Sequence, residues 1–199
     1  MKFLIVTGSP KDSGLTHAIM EKVIQGAKDG GAEVEVMKVD GFQRCKMCAD
    51  GWGKCWDDKV CAYGDEDGFN EAQQKFGEAD MYCLISPVYW GEATEGMKAL
   101  MDKIRRCEWG EGKLNGKKAL LISVPGGNGG NSLGCLEQMQ RYISVGRARV
   151  FDWVAVNRWN NDYKAETAYA AAKAMAEGRN AGDTVGYAEE MKQTLRDRR

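Results

Sequence analysis

MKFLIVTGSPKDSGLTHAIMEKVIQGAKDGG, residues 1–31, decides how the rest of the chain is read. Met1 to Thr7 is an apolar run without alternation, the pattern of a parallel strand covered by helices on both faces. Gly8 to Leu15 is a loop of small and hydroxyl residues. Behind it, Ile19, Val23 and Ala27 recur at four-residue spacing, and Gly30 and Gly31 stop the helix they mark. The same alternation continues. Val34, Val36 and Val39 mark a second strand, residues 65–80 a helix, and Met81 to Ser86 a buried strand. Met97, Leu100, Met101 and Ile104 share one helical face ahead of the strand KALLISVP. A helix over Ser132 to Val145 precedes the strand VFDWVAV, and two helices close the chain. Five strands alternating with helices imply a parallel sheet with right-handed crossovers, which binds its ligands at the carboxyl ends of the strands.

Composition narrows the function. The chain has 199 residues, 28 Lys+Arg against 29 Asp+Glu, and 7 Cys. That length suits one domain needing no disulfide or structural metal, so residues 1–199 are expected to form a single domain. A net charge of -1 gives no global field for a polyanion, so nucleic acid is not an expected partner. No apolar run approaches a bilayer span, so no membrane partner is expected and the protein is read as cytoplasmic. An odd number of cysteines without a secretion signal points to thiols or to ligands of a metal or cluster.

Three loops fall at the same sheet edge. The first, TGSPKDSGLT (residues 7–16), puts Ser9, Ser13 and Thr16 hydroxyls and the Lys11 charge before a helix N-terminus, where a dianion is already favoured. It is neither GxxxxGK[ST] nor GxGxxG, which leaves a terminal monophosphate as the ligand; a simple N-cap by Ser13 or Thr16 is the alternative. The second, SPVYWGEAT (residues 86–94), sets Tyr89, Trp90 and Gly91 where a flat ring needs backbone amides at its edge, or where two aromatics merely cover the sheet end. The third, PGGNGGNS (residues 125–132), has glycines that let backbone approach a ligand or form a flexible turn.

These motifs resemble the flavodoxin-like NAD(P)H-dependent FMN reductase family, including its iron-sulfur flavoprotein branch, over about residues 1–145. Gly8, Ser9, Pro10, Gly14 and Thr16 stand in the places of the family's first loop, with Lys11 for its usual Arg and Leu15 where Asn is common. Ser86 to Gly91, Met97, Lys98 and Asp102 match the second signature, with Lys103 for Arg. The resemblance implies a doubly wound five-stranded sheet of order 2-1-3-4-5 and a bound FMN. It places the FMN phosphate on Ser9, Lys11, Ser13, Gly14, Leu15 and Thr16, the isoalloxazine against Pro87, Val88, Tyr89, Trp90 and Gly91, and Gly126 and Gly127 beside it. The implied activity moves electrons from NAD(P)H to a small acceptor such as a quinone, flavin or nitro compound, by chemistry that belongs to the cofactor. A homodimer or homotetramer is implied too. No catalytic acid or base is assigned: His17, the only histidine, is expected at the surface or near the phosphate.

Residues 41–68 stand apart as an insertion longer than an ordinary connection. Cys45, Cys48, Cys55 and Cys61 fall as C-x2-C-x6-C-x5-C. Gly51 occupies the place of the third cysteine of the iron-sulfur branch, so a cluster would need both Cys55 and Cys61. A cluster-free loop, with Asp57-Asp58 as the acidic pair kept by many relatives, is the leading reading; a four-iron cluster or zinc are the others. Cys83, Cys107 and Cys135 are expected to be buried small hydrophobes. Rival functions are a cluster-bearing electron-transfer protein, a one-electron carrier, which such a small net charge does not favour, and a binding module that has lost its cofactor.

Overall fold

The computed structural model describes residues 1–39, 41–108 and 112–179. β1 (Lys2–Thr7) is followed by α1 (Leu15–Asp29) and β2 (Glu33–Lys38), then by the short α2 (Cys55–Asp58) and by α3 (Phe69–Glu78). β3 (Met81–Tyr89), a two-residue β4 (Glu92–Ala93) and α4 (Glu95–Glu108) come next. β5 (Lys118–Pro125), α5 (Ser132–Val145), β6 (Arg149–Ala155) and α6 (Asn161–Ala176) complete the order. The parallel strands run β2-β1-β3-β5-β6, which is the expected 2-1-3-4-5. β4 is an addition to that plan, pairing antiparallel with the end of β3. Of the two expected closing helices α6 is one; a second would fall outside the described residues, as does Trp109.

Alternation along the strands divides the core. Leu4, Val6, Tyr82, Leu84 and Leu121 face α3, α4 and α5. Phe3, Ile5, Cys83, Ile85 and Ile122 face α1 and α6. Both faces are dry, which is why the central strands read as continuous apolar runs. β2 is an edge strand, so Val36 is partly exposed and only Met37 of its six residues is buried. α1 and α6 pack closely because Gly26 has no side chain: a Cβ there would lie 2.2 Å from the Tyr169 carbonyl oxygen. No helix among the described residues is long and apolar enough to cross a membrane.

Candidate active site

The loop after β1 is anchored at both ends and open in the middle. Gly8 N–H donates to the Ile85 carbonyl at 2.9 Å, and the Thr94 hydroxyl donates to the Gly8 carbonyl at 2.9 Å. A Cβ on Gly8 would meet that hydroxyl at 2.5 Å, so glycine is what lets the first and second loops touch. Ser9 is buried, and its Oγ lies 3.3 Å from the Lys11 N–H that donates to it. Lys11, Ser13 and Gly14 are exposed, Leu15 is half-buried and Thr16 is buried.

α1 begins without a side-chain cap. Neither Ser13 nor Thr16 caps it, so that alternative falls; its N-cap is Gly14, at φ 88° and ψ -171°, and its first turn carries no acidic residue. Uncapped N–H groups with the positive end of the helix dipole form a site for an anion. The donor set therefore fits a phosphate. One carboxylate does lie in the loop, Asp12, and it is ion-paired with Lys38 at the end of β2. Lys38 holds that carboxyl below its usual range. His17 is half-exposed with its Nε2 3.8 Å from Glu21, on the helix rather than over the sheet edge.

The second loop is a tight hairpin. β3 and β4 pair through Val88 with Ala93 and Tyr89 with Glu92, leaving Trp90 and Gly91 as the turn. Their φ values, 52° and 91°, are both positive, as the favoured two-residue hairpin turn requires. Asn or Gly usually takes the first place; a tryptophan there is strained and here is fully exposed. Pro87 is buried, Val88 half-buried, and Tyr89 exposed. The hairpin rests on α5, whose Gln138 Oε1 accepts the Ala93 N–H at 2.9 Å.

In the third loop the Arg158 guanidinium donates twice to the Gly126 carbonyl, at 3.1 and 2.6 Å. Gly126 and Gly127 are exposed, and a Cβ on either would meet nothing within 4 Å. α5, which this loop enters, again lacks both a side-chain cap and an acidic first turn. Between the first two loops opens a cleft of about 650 Å³, lined among others by Gly8, Pro10, Phe42, Arg44, Tyr89 and Glu95.

The cysteine loop leans on α4. Asp67 and Lys103 form an ion pair with side chains only 3% and 5% exposed. Asp67 also accepts the Gln43 N–H at 2.8 Å and the Phe69 N–H at 3.2 Å, so one carboxylate closes the loop at both ends. Burial pushes that carboxyl up, but the hydrogen bonds from Lys103, Gln43 and Phe69 outweigh it and hold it below its usual range. At the tip, Arg106 Nη1 donates to the Gly51 and Trp52 carbonyls at 2.6 and 3.1 Å.

Within this frame Cys45, Cys48, Cys55 and Cys61 line one small cavity, together with Lys46, Tyr63 and Lys103. Burial pushes the Cys55 thiol up, while a hydrogen bond from Cys107 acts the other way. Among the described residues no three His, Cys, Asp or Glu side chains are grouped to hold a single metal ion. Cys83, Cys107 and Cys135 are buried; burial alone raises the Cys83 thiol strongly, and burial, opposed by a hydrogen bond with Ser86, takes that of Cys135 up to about 12.

The sequence signature described as NADPH-dependent FMN reductase matches residues 1–161. The chain belongs to that family. It is accordingly an oxidoreductase with FMN as cofactor and a reduced nicotinamide as co-substrate. An iron-sulfur flavoprotein of Methanosarcina thermophila is 25% identical over 150 residues, 73% of this chain and 74% of that one. An FMN-dependent NADH:quinone oxidoreductase of Macrococcus caseolyticus is 27% identical over 147 residues, 63% of this chain and 70% of that one. The structure of an NAD(P)H:quinone oxidoreductase from Methanothermobacter marburgensis aligns with a TM-score of 0.70 at 14% identity, over 88% of this chain and 96% of its own. That last likeness concerns the fold.

For this FMN reductase family member, the expected site residues of all three loops do fall at the carboxyl edge of one sheet. Four side chains that organise the site were not singled out from sequence: Thr94, Arg158, Asp67 and Arg106. Thr94 had a readable signal, since it precedes the first turn of α4 as a cap residue would. The others act over 32 to 55 positions of chain, which no local pattern reveals. Asp57 and Asp58 are exposed in α2, and the carboxylate that organises the loop is Asp67.

Proposed function

We propose that the protein is an FMN-dependent NAD(P)H oxidoreductase that delivers electrons to a small acceptor such as a quinone, a free flavin or a nitro compound. The observation that carries this is the uncapped N-terminus of α1 beneath a hydroxyl-bearing loop at the carboxyl edge of the sheet. Ser9, Ser13 and Thr16 hydroxyls, the Lys11 ammonium and the amides from Gly14 to Thr16 hold the FMN phosphate. Pro87 to Gly91 border the isoalloxazine, and Gly126 and Gly127 approach it from the third loop. Nothing in the chain's own packing requires glycine at those two positions, which supports a ligand as the neighbour they make room for. FMN, when bound, takes a hydride from the nicotinamide and releases electrons singly or in pairs. The protein's part is to bind, orient and shield.

The test is a pair of measurements on the FMN-loaded protein. NAD(P)H consumption is assayed with quinone, flavin and nitroaromatic acceptors, and affinity is compared for FMN and riboflavin. Turnover with at least one acceptor and much tighter binding of FMN are expected; no turnover with any of them, or equal affinity for both flavins, overturns the reading. Exposed Tyr89, Trp90 and Leu133 around the hairpin tip support association into a homodimer or homotetramer, which size-exclusion chromatography would read directly.

A specific observation favours a second reading of the cysteine loop: all four of its thiols line one cavity. A single zinc would need them drawn in to bonds of about 2.3 Å. A four-iron cluster asks each thiolate to reach a different corner, so the donor chemistry fits an electron-relaying cluster on Cys45, Cys48, Cys55 and Cys61. Several relatives carry the name iron-sulfur flavoprotein. Iron and sulfide in anaerobically purified protein test this; their absence returns the loop to a cluster-free role.

A further inference from the structure

We propose that Arg158 is a positioning residue for the flavin, fixing the Gly126–Gly127 peptide so that the Gly127 N–H is offered as a hydrogen-bond donor to the edge of the isoalloxazine. The inference rests on the FMN reading above. Arg158 stands in the turn after β6, and its Nε and Nη2 both donate to the Gly126 carbonyl oxygen, at 3.1 and 2.6 Å. A trans peptide is planar, with its C=O and N–H pointing in opposite directions. Turning the Gly126 carbonyl toward Arg158 therefore turns the Gly127 N–H away from it. β5 lies between β6 and β3 in the sheet, so that N–H is directed to the side of the Trp90 hairpin, against which the ring is placed. Among the described residues the Gly127 N–H donates to no other group, and a Cβ on Gly127 would meet nothing within 4 Å. A charged donor on the carbonyl polarises the peptide and strengthens the N–H on its far side.

Arg158 is itself held in place. Its guanidinium lies over the Trp159 ring, 5.0 Å from the centroid, and Asn161 Nδ2 donates to its carbonyl at 2.8 Å. Asn157 Oδ1 accepts the N–H groups of Trp159 at 2.9 Å and of Asn160 at 3.2 Å, which closes the turn. The same Asn157 side chain touches the third loop at a second point: a Cβ on Gly129 would come 2.6 Å from its Nδ2. A turn fixed by its own hydrogen bonds thus carries the guanidinium to a loop whose Gly126 and Gly127 are exposed. The fork gives that peptide a single orientation. Reduction puts negative charge on the edge of the ring, so a donor there favours the reduced flavin over the oxidised one, and Arg158 raises the reduction potential of bound FMN.

The experiment uses full-length protein loaded with FMN. By nuclear magnetic resonance of isotopically labelled wild type, the Gly127 amide proton should move downfield and exchange more slowly when FMN is added; Arg158→Met should abolish that response. Arg158→Met and Arg158→Lys should keep the thermal midpoint of the flavin-free protein within about 1 °C, and weaken FMN and riboflavin by the same factor, about tenfold or less. Their bound FMN should titrate at a lower potential, by up to about tenfold in the two-electron equilibrium, or about 30 mV. Lysine keeps the charge and loses the fork, so it should recover little, and the shift should persist at about 0.5 M salt, where a bare charge is screened. A wild-type potential in Arg158→Met, or a Gly127 amide that ignores FMN, overturns the positioning role and makes Arg158 a clamp of the surface. A shift that lysine restores in full, or that salt erases, overturns it in favour of charge alone. A loss confined to FMN overturns it by placing the effect at the phosphate. Wild-type protein that binds no FMN removes the FMN reading itself, an outcome distinct from the others.

Discussion

The loop after β1, the proposed phosphate loop, and the cysteine loop leave the same edge of the sheet and are held there by different means. Residues 8–14 are short and are fixed largely through their own backbone: the Gly8 amide donates to the Ile85 carbonyl of the neighbouring strand, the Gly8 carbonyl accepts the Thr94 hydroxyl, and a glycine opens the helix. Residues 41–68 have no strand to lean on. They pass through left-handed conformations at Met47, Ala49, Asp50 and Lys59 and are held by two side chains of α4, Lys103 and Arg106. A site made of backbone tolerates side-chain change and fails when a special conformation is lost; a loop clasped by side chains does the reverse.

The largest expected effect comes from the clasp. Removing one partner of a buried ion pair leaves an uncompensated charge and costs about 3–5 kcal/mol. Lys103→Met, which strands the Asp67 carboxylate, should lower the unfolding free energy by that order in urea. FMN affinity of the folded fraction should move less than about threefold, because the phosphate loop has its own supports. A large loss of FMN affinity at unchanged stability would show that the two regions are one unit. Acid acts on the same contact. The folded Asp67 carboxyl sits below its usual 3.8, so its stabilisation is complete above the unfolded value and is lost as pH falls through the folded one. The stability gap between wild type and Asp67→Asn should be constant from about pH 7 to 5 and narrow below about pH 4.

The mirror-image experiment is Gly14→Ala. The side chain would meet nothing within 4 Å, so the whole cost comes from φ 88° and ψ -171°, a region open almost only to glycine and worth about 1–3 kcal/mol. FMN dissociation constants should rise tenfold or more, with riboflavin affinity changed less and the cysteine loop untouched. Gly126→Ala separates ligand from fold in the third loop. It has room and no positive φ, so its thermal midpoint should stay within about 1 °C of wild type; a weaker FMN complex would then report close approach of the ligand and nothing else.

The same division explains what the sequence made legible. β5 and α5 end where the buried run KALLISVP and the flanking glycines say they should, because both are set by local period and punctuation. The position of the loop between β1 and α1 could be read for the same reason. The alternatives of Ser13 or Thr16 as caps were decided only by the backbone of Gly14. The course of residues 41–68 was not readable, since Asp67 meets Lys103 across 36 positions and Arg106 meets Gly51 across 55. Cys61, in turn, is held by Asn70 of α3 at 3.2 and 3.0 Å, and the four cysteines line one cavity, a gathering that the C-x2-C-x6-C-x5-C spacing does not reveal. Trp90 is a third case: hairpin chemistry favours Asn at its position, so a sequence reading places an aromatic there without seeing the turn.

The smallest expected effect sharpens the comparison most finely, because it joins the two regions' logic in one pair. Asp12 is the sole acidic residue between Gly8 and Thr16, and its partner Lys38 comes from β2, outside the loop. Both side chains are substantially exposed, so the pair adds little to folding and its field is screened within about 10 Å at 0.1 M salt. Lys38→Ala should leave the thermal midpoint unchanged yet leave a carboxylate uncompensated beside the phosphate. FMN affinity is expected to fall about two- to threefold at low ionic strength and to converge on wild type near 0.5 M salt. Riboflavin, which has no phosphate to repel, should bind both proteins alike. An equal loss for the two flavins, or a loss that salt does not erase, would mean that Lys38 shapes the loop through contact rather than charge, and that even the backbone-built site borrows a side chain for its form.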